Sequence, residues 1–306
     1  MIPAMVLAAG LGSRLRPLTD VLPKPLVPVG DRPALAHVLE RLSAAGLDRV
    51  VVNAHHGLEP LQRFLAGHPR VATSVEPELL GTAGGVARAG ALLGPGDVLI
   101  WNADILAAVD PAAVIAAHAD ARTDPRRRAA TLVVQPRERG SGSVGIDGGG
   151  RVVRLRKERV GQEERGGEFL GIHVLGDALR KSLPERGCLI GDVYIPALRS
   201  GATLQAFEWR APFFDIGSVK SYLEANLAWL ASRGLSSWIA PAAVFDPGIT
   251  LEAAILGEGA SARGVGLLER CVVWPGASVE APLADAVVAP GHIVRAGAVL
   301  KHVAPP

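Results

Sequence analysis

Over the first 135 residues, short apolar runs rich in β-branched residues alternate with segments whose apolar positions recur at helical spacing. The runs occupy residues 5–9, 49–53, 71–75, 98–102 and 130–135. Helices are predicted over 32–45, 60–66, 82–93 and 111–118, the first with Asp31 as its N-cap and Pro33 in its first turn. Strands alternating with helices predict βα units around a parallel, doubly wound sheet. Between 140 and 215 the pattern gives way to Gly-rich turns and shorter strands at 142–147, 151–155, 168–174 and 204–210. These predict an inserted or mixed-sheet lobe over the open edge of the first sheet. An amphipathic helix is predicted over 218–232.

After residue 238 isolated Ile, Leu and Val recur at intervals near six, separated by Gly, Ala, Pro and Asp, as in "LGEGAS", "VWPGAS" and "VAPGHI". Hexad spacing with small residues predicts the triangular coils of a short β-helix, with a loop-rich tail as the alternative.

Composition narrows the function classes. At 306 residues and 49% hydrophobic, the chain has enough material for one large core and a smaller appended unit. A net charge of +2, from 32 basic and 30 acidic residues, gives no bulk field for nucleic acid or a membrane surface, so a small partner is expected. Cys188 and Cys271 are too few for a disulfide framework or a zinc cluster and read as reduced thiols. The first apolar run lacks a preceding basic residue and is broken by Gly10 and Gly12, which fits neither a signal peptide nor a membrane span. A cytoplasmic location is expected.

The stretch "LAAGLGSRLRPLTDVLPKPLVPV", starting at Leu7, holds the first candidate chemistry. Its G-x-G lacks a third glycine, since position 15 is Leu15, and Pro17 interrupts the helix a dinucleotide fingerprint needs. No Gly-Lys-Ser/Thr triplet follows, so a P-loop is excluded as well. There remains a strand end, Leu7 to Ser13, whose backbone groups are exposed where α/β sheets bind ligands. Ala8, Ala9, Gly10 and Gly12 are small enough for a base and phosphates to approach the chain. Arg14 and Arg16 lie just beyond. Pro17, Pro23, Pro25 and Pro28 are expected to hold extended backbone around Lys24, setting that cation at a fixed distance.

This stretch closely resembles the signature of the nucleoside-diphosphate-sugar pyrophosphorylases, the sugar-1-phosphate nucleotidyltransferases; Ser13 replaces the commoner threonine and keeps the hydroxyl. The resemblance implies a Rossmann-like α/β nucleotidyltransferase domain with a mixed, largely parallel sheet, followed by a short left-handed parallel β-helix. It also demands a divalent cation, because two polyanions must meet at the α-phosphate. Mg²⁺ usually takes one or two carboxylates. Asp104 in "LIWNADIL", with Asn102 beside it, and Asp215 in "APFFDIGSVKSYLEAN" resemble the family's two acidic elements. "EPELLGTAGGVARA" resembles the nucleotide loop, with Gly81 and Thr82 against base and ribose and Glu76 placed to read the base edge. "EFLGIHVLG" resembles the sugar-side strand, with Glu168 and Gly171. Lys157 in "RLRKERVG" is the candidate for the sugar-phosphate lysine, although the family's proline is missing there. His55 and His56 are adjacent, point apart and make a poor metal pair.

The implied reaction transfers a nucleotidyl group from a nucleoside triphosphate to a sugar 1-phosphate. "VVNAHHG" and "LLGTAGG" lean toward GTP and mannose-like sugars, with UTP or dTTP as alternatives. The expected division is a nucleotidyltransferase domain over 1–234, with a nucleotide half over 1–135 and a sugar-binding lobe over 136–217, and a hexad tail over 235–306 available for homo-oligomer contacts. Two other readings compete: a nucleotide-sugar sensor without activity, and an acyltransferase in the tail. The acyltransferase would need His292 or His302 as its base.

Overall fold

The computed structural model describes residues 2–120, 128–290 and 293–294, so His292 and His302 lie outside the described residues. The chain folds as two compact units, Met1–Gly10 with Val38–Phe213, and Leu11–His37 with Phe214–Pro306.

In the first unit the predicted βα pattern folds as a parallel sheet. Strands β1 (Ala4–Leu7), β2 (Val50–Ala54), β3 (Val71–Val75) and β4 (Val98–Asn102) lie in the order β3-β2-β1-β4, all parallel. β1 sits centrally, with Ala4 paired to both Val50 and Leu99. β1, β2 and β4 are apolar because both their faces are covered, whereas the edge strand β3 is only partly buried; Met5, Val51, Val98 and Ile100 share one core with Val86 and Leu93. The helical segments are α1 (Ala34–Ala44), α2 (Leu58–Leu65), α3 (Gly81–Arg88), α4 (Gly90–Leu93) and α5 (Pro111–Asp120). The helix expected over 82–93 is thus broken at Ala89. Asp31 does not cap α1; its carboxylate takes the Arg32 guanidinium, and Arg32–Pro33 pairs with Pro28–Val29 as a small hairpin.

Beyond β4 the sheet turns mixed. Strands β5 (Arg128–Arg137), β6 (Val144–Ile146), β7 (Val152–Leu155), β8 (Glu158–Arg159), β9 (Arg165–Leu175) and β10 (Thr203–Glu208) supply the lobe. β9 is antiparallel to β4, β5 and β6, and β10 is parallel to β5. The pairing of β9 with β5 slips between Phe169 and His173. Gly171 takes φ +74° at this bulge, and a Cβ there would lie 2.4 Å from the Asn102 amide nitrogen. One strand therefore serves both the small lobe and the main sheet.

His173, just past the bulge, is fully enclosed. Its ring stands 5.4 Å from Phe169 and 5.5 Å, edge-on, from Tyr194, and neither ring nitrogen has a hydrogen-bond partner among the described residues. Burial pushes its pKa down to about 3.

The second unit contains the proline-rich arm, α6 (Val219–Ser232) and the tail. Asn226 on α6 is buried, accepts the Gly30 N–H at 2.9 Å and donates to the Tyr222 carbonyl at 2.9 Å. The Tyr222 hydroxyl donates to the Pro28 carbonyl and accepts from the Trp274 indole at 2.9 Å. Trp229 packs against Gly30, which takes φ +63°, and a Cβ there would fall 2.1 Å from the indole.

The tail coils as the hexads predict. Its strands are β11 (Ser237–Ile239), β12 (Val244–Phe245), β13 (Ile249–Glu252), β14 (Ala254–Leu256), β15 (Ser261–Val273), β16 (Ser278–Val288) and β17 (Ile293–Val294), and all their pairings are parallel. β15 pairs in turn with β12, β13 and β14, so it bends around two corners. The repeat is 17 residues from Val244 to Ser261 and on to Ser278, close to three hexads, and shortens to 15 from Cys271 to Ala286 and from Ser278 to Ile293. Ala254, Cys271 and Ala286 stack inside, as do Leu256, Val273 and Val288. Burial raises the Cys271 thiol to about 12, and both cysteines are free. Among the described residues no helix is long and apolar enough to cross a membrane.

Two outcomes are expected. His173 is neutral in the folded chain but takes a proton below pH 6.5 when unfolded, so acid favours unfolding between pH 6.5 and about 3. At pH 5 the wild type should have lost about 2 kcal/mol relative to His173→Phe; parallel pH–stability curves for the two proteins would refute this. Gly30→Ala should destabilise by at least about 2 kcal/mol through overpacking and positive φ, read as a lower denaturant midpoint.

Candidate functional site

In the first unit the candidate residues gather at the carboxyl ends of β1 to β4. Chain direction requires this, since parallel strands all deliver their following loops to one edge. Leu7 pairs with Asn102, and its carbonyl accepts the Ala103 N–H at 2.9 Å. The Trp101 indole donates to the Ile105 carbonyl at 2.9 Å, which closes the turn carrying Asn102 and half-buried Asp104. Ala8 and Ala9 are buried, whereas Gly10 is exposed with no atom within 4 Å of where a Cβ would stand.

Asn53 joins two of these loops. Its Oδ1 accepts the Ala8 N–H at 2.6 Å, and its Nδ2 donates to Glu76 Oε1 at 2.6 Å. Glu76 is 2% exposed, and its Oε2 accepts the Leu80 N–H at 3.1 Å. The His55 Nδ1 bonds the Glu76 carbonyl at 2.9 Å; a carbonyl only accepts, so Nδ1 carries the proton. The two histidines thus belong to the strand-to-helix turn, and no group of three metal-ligating side chains occurs among the described residues.

Gly81 and Thr82 begin α3 against the segment 185–189. A Cβ at Gly81 would lie 2.4 Å from the Gly187 carbonyl, and the Thr82 hydroxyl accepts the Leu189 N–H at 2.8 Å. Sequence reasoning gave no role to 185–189, since nothing local marks it; only the fold brings it to the loop. Cys188 belongs to this segment. Burial opposes its ionisation, but the Gly191 and Ile190 N–H groups, the Thr82 hydroxyl and the Arg156 guanidinium outweigh that and hold the thiol below its ordinary pKa.

In the mixed-sheet lobe, Ser143 grips Glu168. Its N–H donates to Oε2 at 3.1 Å and its hydroxyl to Oε1 at 3.0 Å, while the same hydroxyl accepts the Phe169 N–H. Gly171 lies further along the same strand, at its bulge and beside Asn102. Lys157 is exposed at the tip of the β7–β8 hairpin. The preceding residue, Arg156, donates its N–H to the Ser143 carbonyl at 2.7 Å, so hairpin tip and Glu168 share one row of the lobe.

The second unit carries the cations. The arm is not extended throughout, as the prolines suggested. It makes three short helical turns, Ser13–Leu15, Leu18–Val21 and Lys24–Leu26, because the carbonyls of Gly12, Pro17 and Pro23 accept N–H groups three residues on. Buried Thr19 donates its hydroxyl to the Gly12 carbonyl at 3.0 Å and pins the first turn. Leu15, Leu18, Pro25 and Leu26 face inward, leaving Ser13 and Arg14 exposed. Lys24 Nζ stands 3.9 Å from Asp215 Oδ1. Gly217 forms the floor: a Cβ there would lie 2.7 Å from Asp215 Oδ1 and 3.0 Å from Arg14 Nη2. Two cations and one carboxylate thus meet over bare backbone, just before the capping box of Ser218 and Ser221 that starts α6. Such a set suits anionic oxygen ligands and a hard cation.

The chain is similar to several known proteins. Residues 3–232 match the family described as Nucleotidyl transferase. The mannose-1-phosphate guanyltransferase of Aspergillus fumigatus is 31% identical over 242 residues, covering 75% of this chain and 64% of that protein. The Schizosaccharomyces pombe protein of the same name is 30% identical over 243 residues, again covering 75% and 64%. The chain therefore spans just under two thirds of the length of these relatives. The N-acetylmuramate alpha-1-phosphate uridylyltransferase of Caulobacter vibrioides is 40% identical over 138 residues, or 43% of this chain and 57% of that one. The crystal structure of HddC from Yersinia pseudotuberculosis complexed with GMP-PN shares the fold, with a TM-score of 0.61 over 75% of this chain and all of that one at 22% identity. With signature residues, sheet topology and a family match over most of its length in agreement, the chain belongs to the nucleotidyl transferase family.

Proposed function

We propose that the protein transfers a nucleotidyl group from a nucleoside triphosphate to a sugar 1-phosphate, releasing pyrophosphate, with GTP and mannose 1-phosphate or a related sugar as the preferred pair. The cluster of Arg14, Lys24 and Asp215 around Gly217 carries this reading. The relatives named mannose-1-phosphate guanyltransferase support the choice of substrates.

A divalent cation fits the donor set. Asp215 has a half-exposed carboxylate whose lysine neighbour, at 3.9 Å, is too far to occupy its oxygens fully. Asp104, a hard oxygen donor at a strand end, is the second candidate through its resemblance to the family's acidic element. We assign both as ligands of Mg²⁺, which would offset phosphate charge when bound. Arg14 stabilises the negative charge gathering on the departing β- and γ-phosphates. Lys24 steadies the α-phosphate and the attacking sugar phosphate. The nucleophile is already an anion at neutral pH, so no residue need act as a general base. The turn Ala8 to Ser13 receives the triphosphate, the loop Glu76 to Thr82 with Asn102 receives the nucleoside, and Glu168, Gly171 and Lys157 receive the sugar phosphate. The tail is assigned to contacts between copies of the chain.

The stretch of 40% identity to an N-acetylmuramate alpha-1-phosphate uridylyltransferase favours a second reading, UTP with an amino-sugar 1-phosphate. Pyrophosphate release from GTP, UTP, dTTP and ATP, each against mannose 1-phosphate, glucose 1-phosphate and N-acetylmuramate 1-phosphate, separates the two. Turnover of GTP with mannose 1-phosphate is expected; activity confined to UTP would replace the first reading with the second. Asp104→Ala and Lys24→Ala should each lower kcat at least about 100-fold, the scale of one lost transition-state donor, with unchanged thermal midpoints. Near-normal turnover in either variant would overturn the assignment.

A further inference from the structure

The Tyr222 hydroxyl joins three stretches of the second unit. It donates to the carbonyl of Pro28, which closes the segment that begins at Lys24. Tyr222 itself lies at the start of α6, just after Asp215 and Gly217, and its N–H donates to the Ser218 carbonyl of the capping box at 2.8 Å. The tail supplies the third stretch, since the Trp274 indole donates to the same hydroxyl at 2.9 Å. The directions are forced: an indole N–H only donates and a carbonyl only accepts, so the phenol takes one hydrogen bond and gives the other. Burial pushes the phenol pKa up, and the hydroxyl keeps the proton that it gives to Pro28.

Both rings are buried and packed edge-on, with centroids 6.2 Å apart. Trp274 is also fixed through its backbone. Its N–H donates to the Val288 carbonyl at 2.9 Å and its carbonyl accepts the Ala277 N–H at 3.0 Å. The neighbouring coil leaves no room for it to shift, since a Cβ at Gly257 would lie 2.7 Å from the Pro275 nitrogen and 3.0 Å from the Trp274 carbonyl carbon.

We infer that Trp274 is a positioning residue: through the Tyr222 hydroxyl, the tail sets where Lys24 stands relative to Asp215, whose Oδ1 lies 3.9 Å from the lysine Nζ. The tail is then part of the machinery for phosphate charge as well as a surface for other copies. The inference rests on the nucleotidyl-transfer reading, in which Lys24 acts on the α-phosphate.

A mutant cycle with Lys24 tests it, using the full chain and the substrate pair that the wild type turns over best. Trp274→Phe keeps an aromatic ring at the corner but removes the donor, and should lower kcat about 3- to 10-fold. Tyr222→Phe removes both hydrogen bonds and should lower kcat about 10- to 30-fold. KM for the nucleotide should stay within about threefold in each. In the Lys24→Ala background either substitution should change kcat by less than about twofold, because the group that it displaces is gone. Should Trp274→Phe fail to fold, Tyr222→Phe, which leaves the indole in place, is read in the same cycle.

A kcat that falls by the same factor in both backgrounds would show a general loss of structure, and an unchanged kcat with a lower urea midpoint would show stability alone; either result overturns the inference. Near-normal turnover in Lys24→Ala removes the role of the lysine and the inference with it, while the activity stands. A wild type that binds GTP, UTP, dTTP or ATP in calorimetry without releasing pyrophosphate overturns the activity alone, and the same cycle is then read in Kd for that nucleotide. A wild type that binds none of the four overturns both.

Discussion

Loops that leave the carboxyl ends of parallel strands have no ladder to satisfy their backbone groups, and a buried one must find partners elsewhere. In the first unit the Asn53 amide supplies that partner for Ala8 and passes the constraint to Glu76 and Leu80. The second unit uses the same device. Buried Asn226 accepts from Gly30 and donates to the Tyr222 carbonyl, tying the arm to α6. An asparagine serves because one planar group presents a donor and an acceptor at fixed separation, and leaving either unpaired in the interior costs about 1–3 kcal/mol.

The arm derives its precision from these attachments more than from its prolines. Proline fixes φ, yet Pro17 and Pro23 here lead into single helical turns, since each carbonyl finds an N–H three residues later. What holds Arg14 and Lys24 is the burial of Leu15, Leu18, Thr19 and Leu26 on the opposite side, together with the anchor at Pro28 to Gly30. The close approach of Arg14 and Asp215 over Gly217 then follows from backbone without a side chain in the way.

The regular elements of both units were legible in the chain because their apolar positions repeat. Most of the predicted strands fell within about two residues of their ends, the one predicted over 168–174 starting earlier at Arg165, and coils of 17 and 15 residues lie near three hexads. The exceptions have local causes. Asp31 found Arg32 before it could cap α1, and 82–93 broke where Ala89 meets Gly90. Segment 185–189 and the grip of Ser143 on Glu168 gave no periodic signal, because each is a single contact between distant parts of the chain.

By itself the sequence singled out the candidates for chemistry: the cations at 14 and 24, the carboxylates at 104 and 215, and the small residues around Gly10. Local spacing and side-chain type suffice for that. Only the tertiary structure decided which polar groups are held by partners within the protein. Glu76, Glu168 and Thr82 look alike in the chain, but partners 23, 25 and 107 residues away hold each of them in one orientation. No local pattern encodes such a partner, since it is chosen by strand order and by the need of each buried group to be satisfied.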